Sequence, residues 1–192
     1  MESIVKYNGD DFNIFIVNDE SFSKLLEDWN IVLSNVAEPM KEKARKLGMC
    51  KLLYKYGGMF IPRSFLSTCN LKNMYLDGVR HNKMFCGESI NRSTSQFDNE
   101  FMASNIIMGC MKFNGNMKSY VDYLHDLVKN DYTNESNVVC QEKKWLQLEC
   151  NNYSVNLING KLLGIKDKQG VAIGVEDLLG ESVLSFDKNK SG

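Results

Sequence analysis

Few residues in this sequence are equipped for chemistry, and they are scattered. Glu88 and Asp98 stand in a polar stretch, where either carboxylate with a tuned pKa is able to take a proton from a hydroxyl as a general base. Arg63 and Ser64 follow Pro62 directly, at what reads as the exit of a strand. His81 and His125 are the two histidines, and with Cys86 near the first they hold the parts of a Cys/His nucleophile if the fold assembles them. The six cysteines (Cys50, Cys69, Cys86, Cys110, Cys140 and Cys150) stand singly with no Cys-x-x-Cys pair, so a Cys/His metal cluster is not expected. Reduced thiols behaving as small core hydrophobes are the expectation instead.

The elements that would position these residues follow from periodicity and punctuation. Residues 13–17, Asn-Ile-Phe-Ile-Val, form a short apolar run ended by Asn18-Asp19 and read as a buried first strand. Residues 21–33 carry Phe22, Leu25, Leu26, Trp29 and Val32 at helical spacing, which predicts an amphipathic helix. Pro39 suits a first helical turn, and a second helix is expected from there to Tyr56, with Met49, Leu52, Leu53 and Tyr56 on an inward stripe. Gly57 supplies the left-handed stop. A strand, Met59-Phe60-Ile61, should follow, and Pro62, which has no amide hydrogen for a ladder, ends it or confines it to an edge. In open α/β sheets the carboxyl ends of strands border ligand crevices, which gives Arg63 and Ser64 their functional interest.

Further along, residues 84–87 suggest another short strand, 89–99 a polar loop beside the same crevice, 101–110 an apolar segment and 117–128 a helix with Tyr120, Val121 and Leu124 on one face. Asn159-Gly160 between two alternating runs predicts a β-hairpin over residues 151–172. Asp167 to Gly170 reads as another turn, 175–179 as the start of a short helix and 187–192 as a frayed tail.

Composition bounds the rest. With 192 residues, 43% hydrophobic, the chain suits a single domain with a real core. Its 23 basic and 24 acidic residues leave a formal charge of -1, so no global field draws nucleic acid or an anionic membrane. No apolar run approaches the roughly 20 residues of a membrane span, and the start lacks the basic-then-apolar order of a leader, which makes a cytoplasmic location the expectation.

The block 44–76, and most clearly Leu53-Tyr54-Lys55-Tyr56-Gly57-Gly58-Met59-Phe60-Ile61, resembles the core of the Asp-x-Asp sugar-binding glycosyltransferases. That group includes yeast-type mannosyltransferases, capsular-polysaccharide enzymes and relatives in large DNA viruses. Ser104-Asn105-Ile106-Ile107-Met108-Gly109 and the helix after it fit the same order. The resemblance implies an α/β fold: a glycosyltransferase-A-like, Rossmann-type sheet flanked by helices, here with a C-terminal β-hairpin. It also implies a donor-binding region at Gly57, Gly58, Pro62, Arg63, Ser64, Lys46 and Asn105.

In that family the two aspartates hold a divalent cation against the diphosphate of a nucleotide sugar, because Mg²⁺ or Mn²⁺ takes hard anionic oxygens and offsets charge on the leaving group. Here Pro62 and Ser64 occupy those two positions, and Lys46 and Met49 stand where the family often has an Asp and an Arg facing the donor. No metal or other cofactor is therefore expected, unless Mn²⁺ or Mg²⁺ ligands lie elsewhere. The leading expectation is a divergent, inactive glycosyltransferase-like protein that acts as a binding or structural module, with a nucleotide sugar, a glycan or a protein as partner. One alternative is an active transferase in which Arg63 and Lys46 take over the metal's role. Another is a viral assembly component that reuses the fold.

Overall fold

The computed structural model describes residues 1–92, 99–130, 137–174 and 177. It is a mixed α/β structure with an open four-stranded sheet flanked by helices. In chain order the main elements are α1 (Glu2–Asn8), α2 (Ser21–Leu25), α3 (Met40–Tyr56), β1 (Gly58–Phe60), α4 (Lys72–Gly78), β2 (Met84–Arg92), β3 (Asn99–Cys110), α5 (Gly115–Asn130), α6 (Asn137–Asn151) and β4 (Val155–Ile158).

The sheet order is β1-β3-β2-β4; β3 is antiparallel to both of its neighbours, while β4 runs parallel to β2. One face packs on α3, α5 and α6, where Leu47, Cys50 and Leu53 meet Met117, Tyr120, Val121, Leu124 and Leu146 over Met84, Cys86, Met108 and Val155 of the sheet. The other face is covered by the α4 side, with Phe85, Ile107 and Ile158 against Val79, Met74 and Tyr75. Burying apolar side chains on both faces removes the sheet from water at roughly 25 cal/mol per Å² of apolar surface.

The stretch 39–62 follows its local signals. Pro39 precedes α3, the helix ends at Tyr56, and the Gly57 amide donates back to the Leu53 carbonyl at 2.8 Å. Gly57 has φ +75°, and a Cβ there would lie 2.7 Å from the backbone nitrogen of Lys112. Gly57→Ala should therefore cost about 1–3 kcal/mol from the dihedral alone, with the overlap added. Gly58→Ala, with φ +92° but open space around the added carbon, should cost less; denaturant midpoints of the two variants compare them directly. As Pro62 requires, β1 is an edge strand and stops at Phe60. Tyr56, by contrast, is exposed rather than on the inward stripe.

Helix α5 also matches its pattern. Asn114 caps it by accepting the Met117 amide at 2.9 Å, and Tyr120, Val121 and Leu124 face the core.

Four expectations are overturned. Residues 13–17 are not a strand: Ile14, Phe15 and Ile16 are exposed, Phe15 at 82%, because the ladder draws its strands from elsewhere. The helix expected over 21–33 ends at Leu25, where Lys55 and Tyr56 of α3 both donate to the freed Leu25 carbonyl, at 3.2 and 2.8 Å. Of its five apolar positions, Phe22 and Leu26 are buried with Ala44 and Leu52 and Trp29 packs on them, whereas Leu25 and Val32 are exposed. The polar stretch 89–99 is not a loop throughout, because β2 runs on through Arg92 and β3 begins at Asn99.

The C-terminal β-hairpin is likewise absent: β4 pairs in parallel with β2, and residues 161–164 are turn. The second turn does form, with Lys166 bridging to Ala172 across Asp167 to Gly170. The short helix at 175–179 and the tail at 187–192 lie outside the described residues, apart from position 177.

Asp19 fastens the segment before α2 to α3, its carboxylate accepting from Arg45 Nε and Nη2 at 2.7 Å each. That hydrogen bonding holds the Asp19 carboxyl below its ordinary range. A depressed folded-state pKa stabilises the fold above the unfolded value and the contribution is lost as pH falls through the folded value. Asp19→Asn should therefore flatten the acid limb of a stability-versus-pH curve below about pH 4.

Candidate functional site

The elbow after β1 is a surface turn. The Phe65 amide donates to the Pro62 carbonyl at 3.0 Å, which leaves Arg63 and Ser64 exposed at the bend. Arg63 makes no hydrogen bond or ion pair among the described residues. Gly57 and Gly58, both in left-handed backbone, aim the strand that leads there.

Lys46 and Asn105 come together on the helical side of the sheet. Between Cys86, opposite Met108, and Gly87, opposite Ser104, β3 holds three residues, 105–107, without a partner on β2. Such a bulge re-aims side chains. Asn105 Nδ2 donates to Glu142 Oε2 at 2.7 Å and to the Tyr120 hydroxyl at 3.3 Å. Lys46 Nζ lies 3.4 Å from the same Glu142 oxygen and 3.4 Å from Glu42 Oε1.

The Glu142 side chain is only 4% exposed, so its charge requires these donors. Glu142 was not singled out from sequence, and Tyr120 only as a member of the apolar face of the 117–128 helix. The available signal for Glu142 was its spacing of three and four from Trp145 and Leu146, which puts it on the buried face of α6. Because β1 ends opposite Met108, the bulge lies just past the point where β1 leaves the sheet. No hydrogen bond or ion pair among the described residues joins this network to Arg63 or Ser64.

Glu88 is not a free base. Its Oε2 lies 2.7 Å from Lys166 Nζ and accepts the Gly160 amide at 2.6 Å, with both side chains nearly buried. Its oxygen is already engaged by these two donors, in a site that gives a substrate hydroxyl little access. Asp98 lies outside the described residues. Met49 packs among the apolar residues around Phe22, not toward the elbow. Cys86 is buried and its sulfur contacts Cys150, while His81 is exposed, so no Cys/His pair forms between them.

Burial pushes the Tyr120 phenol up and raises the Cys110 thiol to about 12. Neither group is suited to proton transfer at neutral pH. Among the described residues no three or more His, Cys, Asp or Glu side chains are grouped so as to hold a metal ion, and no helix is long and apolar enough to cross a membrane. No family model, no curated protein and no solved structure matches this chain.

Proposed function

We propose that this chain is a non-catalytic, glycosyltransferase-like module, a glycosyltransferase-A-type variant of the mixed α/β sheet that binds rather than transfers a sugar. The supporting observation is what the polar residues near the strand exit do. Lys46 and Asn105 both direct their nitrogens at Glu142, a buried carboxylate that ties α3, β3 and α6 together. They serve the fold. At the elbow itself Pro62 offers no ligand oxygen in its side chain and Ser64 only a neutral hydroxyl, whereas a divalent cation bridging a diphosphate takes anionic oxygens.

Incubation with uridine- and guanosine-diphosphate sugars, with Mn²⁺ or Mg²⁺, tests this by chromatography of the released nucleoside diphosphate. No release above the protein-free control is expected. Release that grows with protein concentration and depends on Mn²⁺ would overturn the reading.

A second reading, an active transferase without a metal, draws on Arg63, a cation at the rim of the strand exit with no partner among the described residues. It requires nucleotide-sugar turnover in the presence of a chelator, lost in Arg63→Ala.

A further inference from the structure

We propose that Cys86 and Cys150 form an oxidative modification site: a dithiol that hydrogen peroxide converts to a disulfide joining the sheet to α6. The two sulfurs are 3.7 Å apart and share a hydrogen bond, although 64 positions separate them in the chain. Cys86 lies on the central strand β2, fully buried, and Cys150 lies in the last turn of α6, partly exposed. One thiol of the pair is thus reachable by a small polar oxidant, and the other waits behind it. Disulfide sulfurs sit about 2.05 Å apart, so a small side-chain adjustment at the less confined Cys150 closes the gap.

The remaining described thiols are placed differently. Cys110 donates to the Leu53 carbonyl at 3.4 Å, and no other two described thiols share a hydrogen bond.

Exposure decides which sulfur meets the oxidant first, since Cys150 is partly exposed and Cys86 buried, and the shared hydrogen bond acts in the same direction. That bond lowers the Cys150 thiol, and together with burial it raises the Cys86 thiol, so the thiolate forms on the accessible partner and the proton stays on the buried one. The Cys150 thiolate attacks one peroxide oxygen and the O–O bond breaks. Cys150 becomes a sulfenic acid, and the departing oxygen leaves as water after taking a proton. The Cys86 sulfur then attacks the sulfenic sulfur: the S–S bond forms, the S–O bond breaks, and the hydroxyl leaves with the Cys86 proton as a second water. The two thiols lose two electrons and the hydrogen peroxide gains them.

The test uses the intact, natively folded chain. Treatment with a few equivalents of hydrogen peroxide should give a mass loss of about 2 Da that a dithiol reductant reverses, and alkylation of the denatured product should then add about two labels fewer than the untreated chain takes up. Non-reducing peptide mapping should show the fragments holding Cys86 and Cys150 joined. Cys150→Ser should not lose this mass, and Cys86→Ser should stop at a gain of about 16 Da, captured by a sulfenic-acid reagent. Because Cys86 is buried, its variant has to pass a folding check by circular dichroism; if it fails, the peptide map of the wild type decides. No mass loss, a bridge between other cysteines, or an undiminished loss in Cys150→Ser would overturn the proposal.

Discussion

Replacing Tyr120 with alanine should destabilise the protein by about 3–5 kcal/mol, the range for deleting a large buried aromatic side chain. Tyr120 has no exposed surface, and its ring lies 4.9 Å from that of Trp145, which in turn stacks on Tyr123 at 5.7 Å. This three-ring group joins α5 to α6, so the truncation opens a cavity where two helices meet. It also removes the hydroxyl that Asn105 contacts, although Asn105 keeps Glu142.

Tyr120→Phe separates the two losses. It keeps the ring and should cost only about 0.5–1.5 kcal/mol, the net worth of a single hydrogen bond. Burial raises the phenol's pKa, so its contribution is present below the unfolded value near pH 10 and is lost as pH rises through the folded value. Tyr120→Phe should accordingly flatten the alkaline limb of stability. Guanidinium midpoints measured with an unchanged slope report all of this. A cost under about 1 kcal/mol for Tyr120→Ala would mean that α6 is not docked as described.

Lys166→Met is the second large effect, again about 3–5 kcal/mol, because it strands a carboxylate in a nearly dry site. Glu88 and Lys166 are 11% and 12% exposed and 2.7 Å apart, and the ammonium lies 3.7 Å from the centroid of the Phe101 ring. Removing the lysine leaves Glu88 with the Gly160 amide as its remaining donor among the described residues. The double variant Glu88→Gln/Lys166→Met should recover most of the loss, since a neutral amide still accepts from Gly160 and no buried charge remains.

A double-mutant cycle measures the coupling between them. Additive costs would show that the pair does not act as a unit and would reopen Glu88 as a free carboxylate. The expected coupling also explains why Glu88, a candidate base on sequence grounds, serves instead to fasten the 160–166 segment to β2.

What the chain determines by itself is local. Gly57 stops α3 because few other residues accept its backbone angles, Pro62 ends an edge strand because it lacks an amide hydrogen, and the apolar spacing of 117–128 becomes the buried face of α5. Each of these depends on dihedral preference or on the period of one helix, and both are written into neighbouring residues.

Strand pairing is different, because a ladder needs a distant partner. Asn159-Gly160 would close a hairpin only with both residues at positive φ, and neither adopts it. The Gly160 amide goes to Glu88 instead, and β4 joins β2 in parallel. The run 13–17 has strand-like residues but no place in the sheet, so Ile14, Phe15 and Ile16 stay exposed and only Val17 packs, against the cluster around Phe22. Likewise, the residue types of Lys46 and Asn105 do not reveal that both would face Glu142. That meeting depends on a bulge in β3 and on the packing of α6, which arise only when segments about a hundred positions apart settle against one another.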